Sequence, residues 1–195
     1  MRSIIVVFLA FAIIVVGGAW LLDLGQDVPR LGEATSVSWL DVDEDLDEAL
    51  TSFERGKVAL AIRQLTTVAE TDDRLAQGFL GGLFTDGFGV AKDHCRGLEW
   101  FKRAAGNGNA QAKLNLGFAC HLGYCVSVDF DEAERYYEEA AELGIAVGYL
   151  GISLLHIIEK SDWNDRRHAY EMAKRAWDES DNAGGKVLIA LLLGQ

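Results

Sequence analysis

The hydrophobic pattern has three distinct characters along the chain. Ser3 to Leu22 reads SIIVVFLAFAIIVVGGAWLL and carries no charge. Its length suffices to span a bilayer as a helix. From Asp23 to about Asp43 polar residues dominate, with the only proline, Pro29, and with Gly25 and Gly32. That stretch reads as a tether, with Val37, Trp39 and Leu40 able to dock onto the first helices of the body. From Asp45 onward the apolar positions take a helical period. Ala49 and Phe53 share a face of one helix, Gly56-Lys57 makes a turn, and Val58, Ile62, Leu65 and Ala69 line a second helix. Helices are predicted over Ala76–Phe84 and His94–Ala105, where Trp100 with Ala104 and Phe101 with Ala105 pair at i, i+4. Tyr149–Ile158, Asp165–Trp177 and Ala183–Leu193 complete an all-α pattern. The last of these holds VLIALLL, which should pack on the preceding pair or mark a partner contact.

Within that pattern one unit is written twice, 36 residues apart. Ala76 to Ala110 aligns with Ala112 to Ala146 through Ala76/Ala112, Leu80/Leu116, Gly81/Gly117, Gly87/Gly123, Val90/Val126, Asp93/Asp129, Ala104/Ala140, Ala105/Ala141, Gly108/Gly144 and Ala110/Ala146. The aromatic pair Trp100-Phe101 repeats as Tyr136-Tyr137. A fixed period in the thirties signals a solenoid of helix pairs. Gly81 and Gly82 permit close helix approach, Gly87 and Gly89 turn the chain, Asp93 is placed to cap the second helix, and Gly108 ends it. The period extends backwards, with Ala61 on Gly97 and Ala69 on Ala105. It extends forwards more faintly, with Gly148 on Ala112, Asp165 on Asp129, Ala169 on Ala133 and Ala176 on Ala140, and the loop glycines are absent from Glu159 to Trp163. Asp45 with Glu48 fits a capping box at the start of the first pair.

Leu80-Gly81, Phe84, Gly87-Phe88-Gly89-Val90, Lys92-Asp93, Trp100 to Ala105, Gly108 and Ala110 together resemble the Sel-one-like repeats, relatives of the tetratricopeptide (TPR) repeats. The resemblance implies a right-handed α-α superhelix of about four antiparallel helix pairs, acting as an adaptor or scaffold for a protein or peptide. It implies no reaction. In related folds the first helix of each pair lines the binding surface, so Gln77, Lys113, Asn115 and Tyr149 are the candidate contacts. The organisation expected is an anchor or signal peptide over 1–22, an acidic linker over 23–43 and a repeat domain over 44–195. Its units cover about 44–70, 76–110, 112–146 and 148–180, with a final helix over 183–193.

Charge and flanks decide where that domain is expected to sit. Arg2 precedes the apolar run and Asp23 and Asp27 come after it, so the basic end stays cytoplasmic and the body lies outside as a single-pass protein of the inner or plasma membrane. A cleaved signal peptide, cut near Gly17 to Ala19, is the rival reading and gives a soluble secreted or periplasmic protein. The formal net charge is −12. Residues 23–50 hold nine acids and one base, so most of the acidity is a local collar. Such a balance disfavours nucleic acid as a partner. The acidic run Asp41 to Glu48 does not make a calcium loop, because Leu46 and Ser52 stand where glycine and glutamate are required.

Three cysteines carry the remaining chemistry. Cys120 stands at the aromatic position of Phe84, and Cys125 at the glycine position of Gly89. Two repeat positions changed together across one turn suggest a Cys120–Cys125 disulfide, which an exported compartment allows; two free thiols are the alternative. Cys95 is left over, either buried or paired with another chain. His94, Cys95, Cys120, His121 and Cys125 could form a redox or metal cluster, but they lack CxxC spacing, and no metal or cofactor is expected. His156 and His168 read as packing or surface residues. No Ser-His-Asp set, phosphate loop or HExxH pair is present, so the chain is not expected to be an enzyme. Trp100, Phe101, Tyr136 and Tyr137 could stack on a glycan or peptidoglycan fragment of the cell envelope. Their repeat positions assign them instead to the core.

Overall fold

The computed structural model describes residues 44–158, 163–180 and 183–193. The apolar segment 3–22, the linker with Val37, Trp39 and Leu40, and the connection over 159–162 lie outside the described residues. Nine helices occur among the described residues: α1 Glu44–Glu54, α2 Val58–Ala69, α3 Arg74–Asp86, α4 His94–Gly106, α5 Ala110–Leu122, α6 Phe130–Glu142, α7 Val147–Ile158, α8 Trp163–Ser180 and α9 Ala183–Leu193. No strand occurs among those residues. Each helix packs on the next, and α3 also meets α5, α5 meets α7, and α7 meets α9. The first helices of successive pairs therefore lie side by side, as in a solenoid.

The same chemistry starts and stops corresponding helices. Asp73 accepts from the amides of Leu75 and Ala76 at the start of α3, and Asn109, at the same repeat position, accepts from Ala112 at the start of α5. Asp93 and Asp129 cap α4 and α6 through the amides of Arg96 and Glu132. Gly87 and Gly123 close α3 and α5 in the left-handed region, φ 75° and 72°. The first pair departs from the expected capping box: α1 includes Glu44, so Asp45 lies inside the helix. Glu48 instead accepts a 2.8 Å bond from Gln64 on α2.

Aromatic rings of the second helices lie against glycines of the first. A Cβ at Gly81 would lie 2.5 Å from the Phe101 ring, and one at Gly117 would lie 2.6 Å from the Tyr137 ring. Tyr137 also meets Gly151 of the next pair, where a Cβ would come within 2.7 Å. One buried ring thus joins two units. Gly82 does not share this role, because open space faces it. Trp100, Phe101 and Tyr137 are buried and Tyr136 is half-buried, so the aromatic pairs serve the core. The last helix packs on the preceding pair. Leu188 is buried, and a Cβ at Gly185 would meet the Ala173 carbonyl at 2.8 Å.

Candidate functional site

The face made by the first helices is the candidate binding surface, and its residues sort by repeat position. Gln77, Lys113 and Tyr149 occupy one position, 36 residues apart. None projects freely. Gln77 is fully buried; it donates to the Ala69 carbonyl at 2.9 Å and to Asp72, and accepts from Asn107 at 2.9 Å. The Lys113 ammonium bonds the Glu139 carboxylate, and its side chain keeps 17 % of its exposure. Tyr149 is half-buried, with the Arg175 guanidinium 5.7 Å from its ring centre. The partners of Lys113 and Tyr149 repeat too: Glu139 and Arg175 share one position of the second helix. Gln77 instead is tied to the α2–α3 turn and to Asn107 just after α4. The expectation that Gln77 is an exposed contact is therefore corrected, and Lys113 and Tyr149 are engaged with the second helix of their own pair.

The neighbouring position carries the open surface. Phe79, Asn115 and Gly151 share it. Asn115 is half-buried, Gly151 is covered by Tyr137, and Phe79 is 48 % exposed. With the unfilled space at Gly82 one turn away, Phe79 forms an apolar projection from α3 that sequence reasoning did not single out. The available signal was a large aromatic at a place where the next two units hold Asn and Gly. A cleft of about 220 Å³ lies elsewhere, between α1 and α2, lined by Asp45, Glu48, Gln64, Thr67, Val68 and Thr71. It lacks aromatic walls and is smaller than ordinary ligand pockets, which start near 300 Å³.

The α2–α3 turn is pinned from the next pair. Asp72 holds φ 65° at the repeat position of Gly108 and Gly144. Its carboxylate meets Arg103 at 3.4 Å, and its carbonyl accepts from Asn107 at 3.2 Å. Arg103 also reaches the Ala69 carbonyl, and Asn109 donates to the Arg74 carbonyl at 2.8 Å.

The cysteines pair differently from the sequence expectation. The disulfide joins Cys95 to Cys125, with Cα atoms 5.2 Å apart, and Cys120 is a buried free thiol. The physical reason is the direction of the loop after each first helix. That loop folds back on the second helix of the preceding pair: a Cβ at Gly89 would touch Val58 and Ile62 of α2. One repeat later the loop bearing Cys125 meets the start of α4, where Cys95 waits and His94 stacks on Tyr124. Cys120 keeps the inward aim of Phe84, and burial pushes its thiol pKa up. The loop set of Cys and His thus resolves into an inter-unit disulfide, a buried thiol and core contacts. His121 lies 3.2 Å from the Tyr137 hydroxyl, and burial holds its imidazole below the ordinary value. Glu139 is held below the usual carboxylate range by its hydrogen bond from Lys113.

A family model described as the Sel1 repeat matches residues 74–109 and 110–145. Over 84 residues the chain is 32% identical to the DAP3-binding cell death enhancer 1 of Rattus norvegicus, covering 43% of this chain and 16% of that protein. The chain thus spans a small part of that relative's length. Among solved structures, a Sel1 repeat protein from Oxalobacter formigenes matches with a TM-score of 0.68 at 24% identity, covering 77% of this chain and 64% of that one. A protective antigen of uropathogenic Escherichia coli strains that displays an SLR fold matches with a TM-score of 0.68 at 20% identity, covering 76% of this chain and 33% of that one. At these identities the structural likeness is one of fold. Residues 74–145 match two consecutive Sel1 repeats, and the helices of the described residues stack in the α-solenoid fold of the Sel1 repeat structures.

Proposed function

We propose that the chain is a protein-interaction scaffold held outside the cytoplasm by residues 3–22, with the first-helix face as its binding surface. The observation that carries the scaffold reading is the exposed Phe79 on a row of adjoining first helices, with Asn115 at the same place one unit on. A large apolar side chain projecting from a helix face is the kind of anchor on which interfaces concentrate their energy. The family's general role in protein–protein interaction supports this reading. The relative that is named as a DAP3-binding protein supports it by analogy. Export is supported by the apolar run behind Arg2 and by the Cys95–Cys125 disulfide, since such bonds persist in oxidising compartments. Among the described residues no helix is long and apolar enough to cross a membrane, and anchoring is assigned to the apolar segment 3–22.

The test combines topology with surface chemistry. A periplasmic reporter fused to the C-terminus should be active and should sediment with membranes at full length. Phe79→Asp with Asn115→Arg should abolish capture of the native partner while leaving the melting temperature within a few degrees. Lys102→Glu, an exposed change on α4, should leave capture intact. A reporter active only in the cytoplasm would overturn the location. Capture insensitive to the first pair of substitutions would overturn the assigned face.

A further inference from the structure

Three side chains from three helices meet at the junction between the second Sel1 repeat and the next helix pair. Glu134 stands on α6, His156 on α7 and His168 on α8. Each offers one ligand atom, and the three atoms lie within 4.8 Å of one another. We propose that Glu134, His156 and His168 form a binding site for a divalent transition-metal ion, with Zn²⁺ as the cation of best fit. The reading is independent of the scaffold assignment.

The donor set decides the metal class. Two imidazoles and one carboxylate suit borderline cations, and all-oxygen sites suit calcium or magnesium. Zinc takes three protein ligands and leaves a fourth position for water or another group. Bond lengths of roughly 2.0–2.2 Å to nitrogen and oxygen put ligand atoms on a tetrahedral zinc about 3.3–3.5 Å apart. Glu134 Oε1 and His156 Nε2 stand 2.7 Å apart and would open slightly, while the widest pair, within 4.8 Å, would close by up to about 1.5 Å. The ring centres of His156 and His168 are already 4.5 Å apart.

The three side chains are graded in depth. His156 is buried, Glu134 is partly buried, and His168 is exposed. The buried imidazole and its carboxylate are fixed by packing, and the exposed imidazole gives the cation a route from solvent. Ser153, on α7 with His156, donates to the Ala169 carbonyl at 2.8 Å, which fixes the spacing of α7 and α8 beside the site. An ion there ties three helices together where the repeat pattern has lost its loop glycines.

The test uses the full chain, purified in mild detergent and stripped with EDTA. Calorimetric titration with Zn²⁺ should show one ion per chain with a dissociation constant on the order of micromolar or tighter. Co²⁺ should give the visible absorption of a four-coordinate site. The melting temperature should rise with zinc, as linkage requires for a ligand of the folded state. His168→Ala should weaken binding at least tenfold and remove most of the rise in melting temperature that zinc produces. His168→Gln and Glu134→Gln serve as second variants. Absence of stoichiometric binding, or binding undiminished in His168→Ala, would overturn the proposal.

Discussion

Cys125 keeps φ 59° at the repeat position where Gly89 has φ 74°. A non-glycine residue there costs about 1–2 kcal/mol of backbone strain. The bond to Cys95 holds it in place and closes a loop with a sequence separation of 30. Loop-closure entropy gives such a link about 3–4 kcal/mol. Reduction should therefore lower stability by roughly that amount in urea melts. Among reduced mimics, Cys95→Ser with Cys125→Gly should be about 1 kcal/mol more stable than Cys95→Ser with Cys125→Ser, because glycine accepts the left-handed conformation. Equal stabilities would show that the loop relaxes once the bond is gone. The glycines of α3 give a second contrast. Gly81→Ala should cost about 1–3 kcal/mol by driving into Phe101. Gly82→Ala meets nothing within 4 Å and should raise stability by up to about 1 kcal/mol through helix propensity. Gly81 recurs as Gly117 in the repeat and Gly82 does not, but only the ring position shows which one a side chain would crowd.

At the scale of the helices, the 36-residue period was legible because small residues, caps and turn glycines recur together. Asp93, Gly87 and Gly108 act as their residue types imply. What stayed hidden was the direction in which each side chain points. Gln77, Lys113 and Tyr149 are polar or amphipathic, which suits either solvent or a seam. The seam shows only when Asn107, Glu139 and Arg175 are seen beside them. Cys120 and Cys125 are near in sequence, but helix and loop aim them into different units. The α5–α6 pair also sets a pH response. Burial lowers the His121 pKa, so its contribution to stability is fully present above the unfolded value of about 6.5 and is lost as pH falls through the lowered folded value. Glu139, held low by Lys113, adds a loss in a more acidic window, beginning below the unfolded carboxylate value of about 4.3. His121→Asn should flatten the stability–pH curve just below about pH 6.5 and leave the carboxylate window unchanged. A wild-type curve that is flat across the upper window would contradict the role given to His121.

For the molecule as a whole, the Tyr137–Gly151 contact and the disulfide both connect one unit to the next. Tyr137 spans Gly117 and Gly151, and Cys95–Cys125 joins the start of α4 to the loop after α5. A row of units tied in this way holds its first helices at fixed spacing, which is what a scaffold presents to a partner. The most direct measurement of that claim is site-specific photocrosslinking in intact cells. A photoreactive residue is placed at position 79 or 115 of the first-helix face, or at the exposed positions 102 or 138 of the second helices. The account predicts a discrete crosslinked partner from 79 and 115, formed in the membrane fraction, and none from 102 or 138. Crosslinks confined to the second-helix positions would contradict the assignment of the binding face.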